Sequence, residues 1–116
     1  MTIKNLSASE LARGLKEDVI VLIDVREPAE YAAERIHGAL LFPLSTFDPR
    51  ALPDCGERTV VFQCGSGVRS ARAVTACQRA GLPHDSHLKG GIQAWKAVRL
   101  PTVTVDPSTG HTHDRK

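Results

Sequence analysis

Residues Ile20 to Val25 read IVLIDV, an almost unbroken apolar run of strand length. A strand with one wet face alternates apolar and polar side chains, and this one does not. It suits a strand covered on both faces, which calls for a parallel sheet with helices above and below. That single requirement organises the rest of the chain.

The neighbouring segments supply the helices and the other strands. Ser7 and Glu10 have the spacing of a capping box, and Leu6 and Leu11 that of a hydrophobic staple, so a helix opens at Ser7. Pro28 fits the first position of a second helix running through Glu30, Tyr31 and Glu34. Ala39 to Phe42 predicts a short strand ended by Pro43, and Thr59 to Phe62 another, leading into Gln63 and Cys64. From Val68 to Ala80, the residues Val68, Ala71, Val74, Cys77 and Ala80 recur every third position and are taken as one face of a helix. Gly81 and Pro83 stop it. Ser86 to Leu88 reads as a further strand and Gly91 to Val98 as a last helix. The expected fold is α/β, a three-layer arrangement with a central parallel sheet flanked by helices and right-handed crossovers.

Residues 1–100 are expected to form one domain, and 101–116 a polar, mobile tail with too little apolar material to pack. A chain of 116 residues can bury a core without disulfide or metal staples. A net charge of +2, with scattered basic residues, gives no footprint for nucleic acid or a membrane surface. The N-terminal segment lacks the apolar stretch of a signal peptide, and no run is long enough to span a bilayer. Three cysteines without close spacing argue against a disulfide framework and for a reducing, cytoplasmic setting.

The chemistry is concentrated in CGSGVRS, residues 64–70. Ligands of open α/β sheets bind beyond the carboxyl ends of the strands, and Cys64 lies at such an end, just before a helix. Unpaired N–H groups at a helix N-terminus stabilise a thiolate and lower its pKa. Gly65 and Gly67 let successive N–H groups converge into an anion-holding nest without side chains to obstruct it. Arg69 adds a permanent charge with a fork of donors suited to oxyanions. Cys64, Gly65, Ser66, Gly67, Val68 and Arg69 together describe a nucleophilic sulfur in a small anion-binding cup.

The chain resembles the rhodanese family of sulfurtransferase domains over about residues 5–100. The likeness rests on LIDVREPAEYAAERIHGA at 22–39, CGSGVRS at 64–70 and LKGGIQAW at 88–95, in that order. It implies that Cys64 accepts a sulfane sulfur as a persulfide and passes it to a nucleophile such as cyanide or a thiol, with Gly65 to Arg69 as the cradling loop. Thiosulfate is the favoured donor, because Arg69 attracts a dianion; a protein persulfide or polysulfide is the expected cellular counterpart. The alternative within the family is a non-catalytic module that binds partners or senses redox state. Phosphatases and arsenate reductases of similar fold carry five residues between cysteine and arginine and a histidine before the cysteine. Here four residues intervene and Gln63 precedes, a tighter cup better matched to one sulfur atom. The family commonly has histidine and proline where this chain has Arg35 and His37, so no role is carried over to either.

Other residues receive structural readings. Asp24 and Arg26 are expected to pair as an anchor at the end of the first buried strand, and Trp95 to lie in the core. Gly90 and Gly91 allow a tight turn into the last helix. Cys77 is expected as a small buried hydrophobe and Cys55 as a thiol in an exposed loop, a resolving thiol for Cys64 being the lesser alternative. His111 and His113 are too few for a metal site and are read as solvated tail. Neither a metal nor an organic cofactor is expected.

Overall fold

The computed structural model describes residues 2–105 and 108–115, with the side chains of residues 113–115 outside that description. In chain order, the first half holds strand β1 (Lys4–Leu6), helix α1 (Ala8–Lys16), β2 (Ile20–Asp24), helix α2 (Pro28–Ala33), β3 (Glu34–Arg35) and β4 (Leu40–Leu41). Two 3-10 turns follow, Leu44–Thr46 and Pro49–Ala51. The second half holds β5 (Thr59–Gln63), α3 (Val68–Arg79), β6 (Ser86–Leu88), α4 (Gly91–Ala97), β7 (Thr102–Val105) and β8 (Thr112–Arg115).

Five strands form a parallel sheet in the order β1-β6-β5-β2-β4. Every residue of β2 is buried, as its apolar run requires. Its side chains divide by parity. Ile20 and Leu22 join Leu11, Ile36, Leu88, Ile92 and Trp95 on the face covered by α1 and α4. Val21 and Ile23 join Phe62, Ala73, Val74 and Cys77 on the face covered by α3. Each large side chain so buried contributes about 1.5–3 kcal/mol relative to exposure. The result is the three-layer α/β fold expected from the sequence.

The capping box at the start of α1 is formed in both directions: the Glu10 N–H donates to Ser7 Oγ at 3.1 Å and the Ser7 N–H to Glu10 Oε1 at 3.0 Å. Such a cap contributes about 1 kcal/mol. It fixes where α1 leaves β1, a strand that the sequence reading did not contain. Three residues with one buried position carry too weak an alternation to stand out.

Three further differences have physical causes. Helix α2 stops at Ala33, and Glu34 instead pairs with Thr104 in a second, antiparallel sheet of β3, β7 and β8. The buried face of α3 is Ser70, Ala73, Val74 and Cys77, while Val68 is 63% exposed. A strict three-residue repeat drifts around a helix of 3.6 residues per turn, so the run from Val68 to Ala80 cannot lie on one face. Regular structure also continues beyond residue 100, where a polar, mobile tail is expected. Thr102 and Val103 are buried, Trp95 Nε1–H donates to the Pro101 carbonyl at 2.8 Å, and Thr102 Oγ1 donates to Glu34 Oε2 at 2.6 Å. Polar anchors do there what apolar content does elsewhere. The two carboxyl ends that matter for chemistry, those of β2 and β5, lie side by side because Asp24 is in register with Gln63.

Candidate active site

Strand β5 ends at Gln63, and Cys64 follows with no exposed surface. The next three residues bend back over it. Gly67 has φ +104°, a left-handed backbone that side chains disfavour, and it caps α3. That bend turns the Gly67 N–H onto the Cys64 sulfur at 3.0 Å. The Ser70 hydroxyl lies 3.5 Å from the same sulfur.

These donors decide the ionisation. Burial pushes the Cys64 thiol up, but the Ser70 hydroxyl and the N–H groups of Ser70, Gly67 and Ser66 outweigh it, leaving the pKa below the ordinary thiol value. Hydrogen bonds to the charged form are the deciding contribution. The arrangement can hold a thiolate, or a negative sulfur one bond further out, where bulk water cannot solvate it.

Arg69, expected from the sequence to offer its fork of donors to an oxyanion, has a carboxylate partner within the protein. Its Nη1 and Nη2 donate to the two carboxylate oxygens of Glu30 on α2, at 2.6 and 3.0 Å. The Arg69 hydrogen bonds hold the Glu30 carboxyl down at about 2, against the opposing effect of burial. The guanidinium also passes close over Gly65, since a Cβ there would sit 3.1 Å from Nη2. Glycine at 65 therefore makes room for Arg69, and Glu30 sets where Arg69 points.

Comparison with known proteins places this loop in a family. The sequence model of the Rhodanese-like domain matches residues 7–98. The chain belongs to the rhodanese-like domain family. A protein of Allochromatium vinosum named sulfurtransferase is 39% identical over 87 residues, covering 75% of this chain and 80% of that one. An uncharacterised protein of Synechocystis, slr1261, is 42% identical over 88 residues, covering 76% of this chain. The chain spans about half the length of that relative, 49%. The crystal structure of a rhodanese-related protein from Thermoplasma volcanium superposes with a TM-score of 0.74 at 28% identity, covering 86% of this chain and 97% of that one.

In this rhodanese-like domain the loop is held from behind by α4. The Ile92 N–H donates to the Cys64 carbonyl at 2.8 Å and the Gln93 N–H to the Gly65 carbonyl at 3.2 Å. Gly91, φ +60°, makes the approach possible, because a Cβ would lie 2.2 Å from the Cys64 carbonyl oxygen. The double glycine thus does more than turn the chain. It lets one helix terminus grip the loop's carbonyls while its N–H groups stay turned to the sulfur.

Sequence reasoning missed Gly91 in this role, and also Glu30, Ser70, His87 and Asn5. Ser70 carried a signal: at three, four and seven residues before Ala73, Val74 and Cys77, it is a polar group on an apolar face and needs a partner. His87 and Asn5 sit on short strands and carried none. Asp24 and Arg26 form a buried pair, Nε to Oδ1 at 3.0 Å and Nη2 to Oδ2 at 2.8 Å, and Arg26 also donates to the Glu34 carbonyl. They brace the strand ends rather than join the cup. Cys55 is a half-buried free thiol donating to the Pro53 carbonyl, and Cys77 is buried, pushed up to about 11 by burial. His111 is exposed, while the His113 side chain lies outside the described residues. Among the described residues no helix is long and apolar enough to cross a membrane.

Proposed function

We propose that this chain is a sulfurtransferase that carries a sulfane sulfur on Cys64. The reading is carried by one observation: a wholly buried cysteine sulfur with the Gly67 N–H 3.0 Å away and the Ser70 hydroxyl at 3.5 Å, groups that lower its pKa against the effect of burial. Only directed donors achieve that, and they are what a thiolate nucleophile and its persulfide both require. The likeness to the Allochromatium sulfurtransferase, over most of both chains, supports it.

In the first step the Cys64 thiolate attacks the outer sulfur of an anionic donor, with thiosulfate favoured. The donor's S–S bond breaks, sulfite departs with the electron pair, and Cys64 is left as a persulfide. In the second step cyanide or a thiol attacks the outer sulfur, and the Cys64 thiolate is regenerated. Gly65, Ser66, Gly67, Val68 and Arg69 form the cup around the transferred atom. Because Glu30 offsets much of the Arg69 charge, the loop N–H groups share the work of holding the dianion. A protein persulfide would meet the exposed side chain of Val68 beside the cup.

Intact-mass spectrometry after thiosulfate, and again after cyanide, tests the reading. A gain of one sulfur, about 32 Da, that requires Cys64 and is removed by cyanide is the expected result. No adduct with thiosulfate, mercaptopyruvate or polysulfide would reject it and leave a rhodanese-like module without transferase activity.

A further inference from the structure

The Cys64 sulfur is the first member of a line of hydrogen-bonding groups that runs across three elements. Ser70 Oγ on α3 lies 3.5 Å from Cys64 Sγ and 2.7 Å from His87 Nδ1 on β6. His87 Nε2 lies 2.7 Å from Asn5 Oδ1 on β1. A carbonyl-type oxygen can only accept, so Nε2 carries a proton and the neutral ring presents its Nδ1 lone pair to Ser70. The Ser70 hydrogen has a second acceptor in the Gly67 carbonyl at 3.2 Å, but His87 is the nearer.

We infer that Ser70 and His87, oriented by Asn5, form a proton relay for Cys64. In the thiol state, Cys64 S–H donates to Ser70 Oγ, and Ser70 O–H donates to His87 Nδ1. One proton moves from sulfur to the serine oxygen while the serine proton moves to Nδ1. The products are a thiolate and an imidazolium, with His87 Nδ1–H now donating to Ser70 and Ser70 O–H to the sulfur. Every group is paired in both states, and no side chain has to rotate. For a thiol with no exposed surface in the resting protein, the line offers an internal outlet for its proton.

The relay's part in sulfur transfer rests on the function proposed above. Loading consumes the thiolate and leaves the proton on His87. When an acceptor attacks the persulfide, the bond to the outer sulfur breaks, Cys64 takes its electron pair, and the proton returns through Ser70. His87 and Ser70 are positioning and proton-holding residues here; the bond changes occur at sulfur.

The charged groups around His87 do not supply a simpler account. On β1, Lys4 is in register with Ser86 and so projects from the opposite face to Asn5. Asp85 and Lys89 flank β6 in the chain, and Arg69 on α3 is engaged by Glu30. Cys64, at the end of β5, is the titratable group that reaches His87 through Ser70. Burial holds the His87 ring below its ordinary pKa, which keeps it neutral and able to accept at neutral pH.

The test is the rate of iodoacetamide modification of Cys64 in the full chain between pH 5 and 10, read by peptide mass spectrometry. An internal transfer creates thiolate without net proton loss, so wild type should show a pH-independent shoulder below the main rise. His87→Asn keeps a polar group facing Ser70 but cannot take a proton, and Ser70→Ala cuts the line. Each should remove the shoulder, lowering the rate near pH 6 by about tenfold to a hundredfold, and the double variant should fall no further. A shoulder that survives in His87→Asn, or a wild-type profile with none, overturns the relay. Should the variants fold poorly, NMR titration of the His87 ring in wild type and Cys64→Ser decides: a higher midpoint in wild type is expected, and equal midpoints overturn the proposal. If wild type shows the shoulder yet takes up no sulfur from any donor, the relay stands and the transferase reading falls.

Discussion

Cys64 and Cys77 are both wholly buried on the α3 side of the sheet, yet their thiols are displaced in opposite directions. At Cys77, in the last turn of α3, the backbone donors are spent on the helix itself, and burial alone pushes the thiol up to about 11. At Cys64 burial acts in the same sense, but the chain has left the strand and not yet begun the helix. Its N–H groups are unspent, and a left-handed glycine turns them onto the sulfur. The direction of each shift therefore follows from where regular structure is interrupted, and depth is secondary.

The largest test of this contrast is exchange of each sulfur for oxygen. Cys64→Ser should abolish sulfur loading to background, whereas Cys77→Ser should load as wild type does. Loading that depends equally on both residues would break the comparison. Next comes chemical modification of the native protein at pH 7.5. With one thiol below its ordinary pKa and the other near 11, Cys64 should react at least about a hundredfold faster than Cys77. Comparable rates would mean the loop donors have been overvalued.

Gly91→Ala sharpens the comparison by disturbing the donors without touching sulfur. The added methyl meets the Cys64 carbonyl oxygen, in a left-handed backbone that costs about 1–3 kcal/mol for a non-glycine residue. The loop must shift, so transfer should fall by up to about a hundredfold, and the Cys64 pKa read by alkylation should rise. An unchanged profile would show that the grip of α4 is dispensable.

The smallest effect concerns stability. Cys77→Ala should cost about 1 kcal/mol for one lost buried atom at pH 7. A raised folded pKa stabilises fully below the unfolded value of about 8.5 and loses that contribution as pH rises through about 11. The wild-type chain should accordingly lose more stability than the variant between those limits in alkaline denaturant titrations. Parallel decline would place the alkaline sensitivity elsewhere.

The parts of this site legible in the sequence are those made by neighbours along the chain. Cys64 at a strand end, glycines at 65 and 67 and a helix opening at Val68 are all local, as are the α1 capping box and the doubly covered β2. The buried face of α3 departs from the three-residue repeat because such a repeat resembles a helical stripe over one turn but drifts off it over three. The strand at residues 102–105 is not legible locally, because its packing depends on Glu34 and Trp95, which no local window contains.

The sequence by itself determined that a cysteine would meet unspent backbone donors, since that depends only on the order strand, glycine-rich turn, helix. Only the tertiary structure decided what stands behind that cysteine. Glu30 reaches Arg69 across 39 residues, and His87 joins Ser70 across 17 and Asn5 across 82. Hydrogen bonds act over about 3 Å regardless of chain separation. Partners on strands that become neighbours only in the folded sheet leave no mark on any single stretch of sequence.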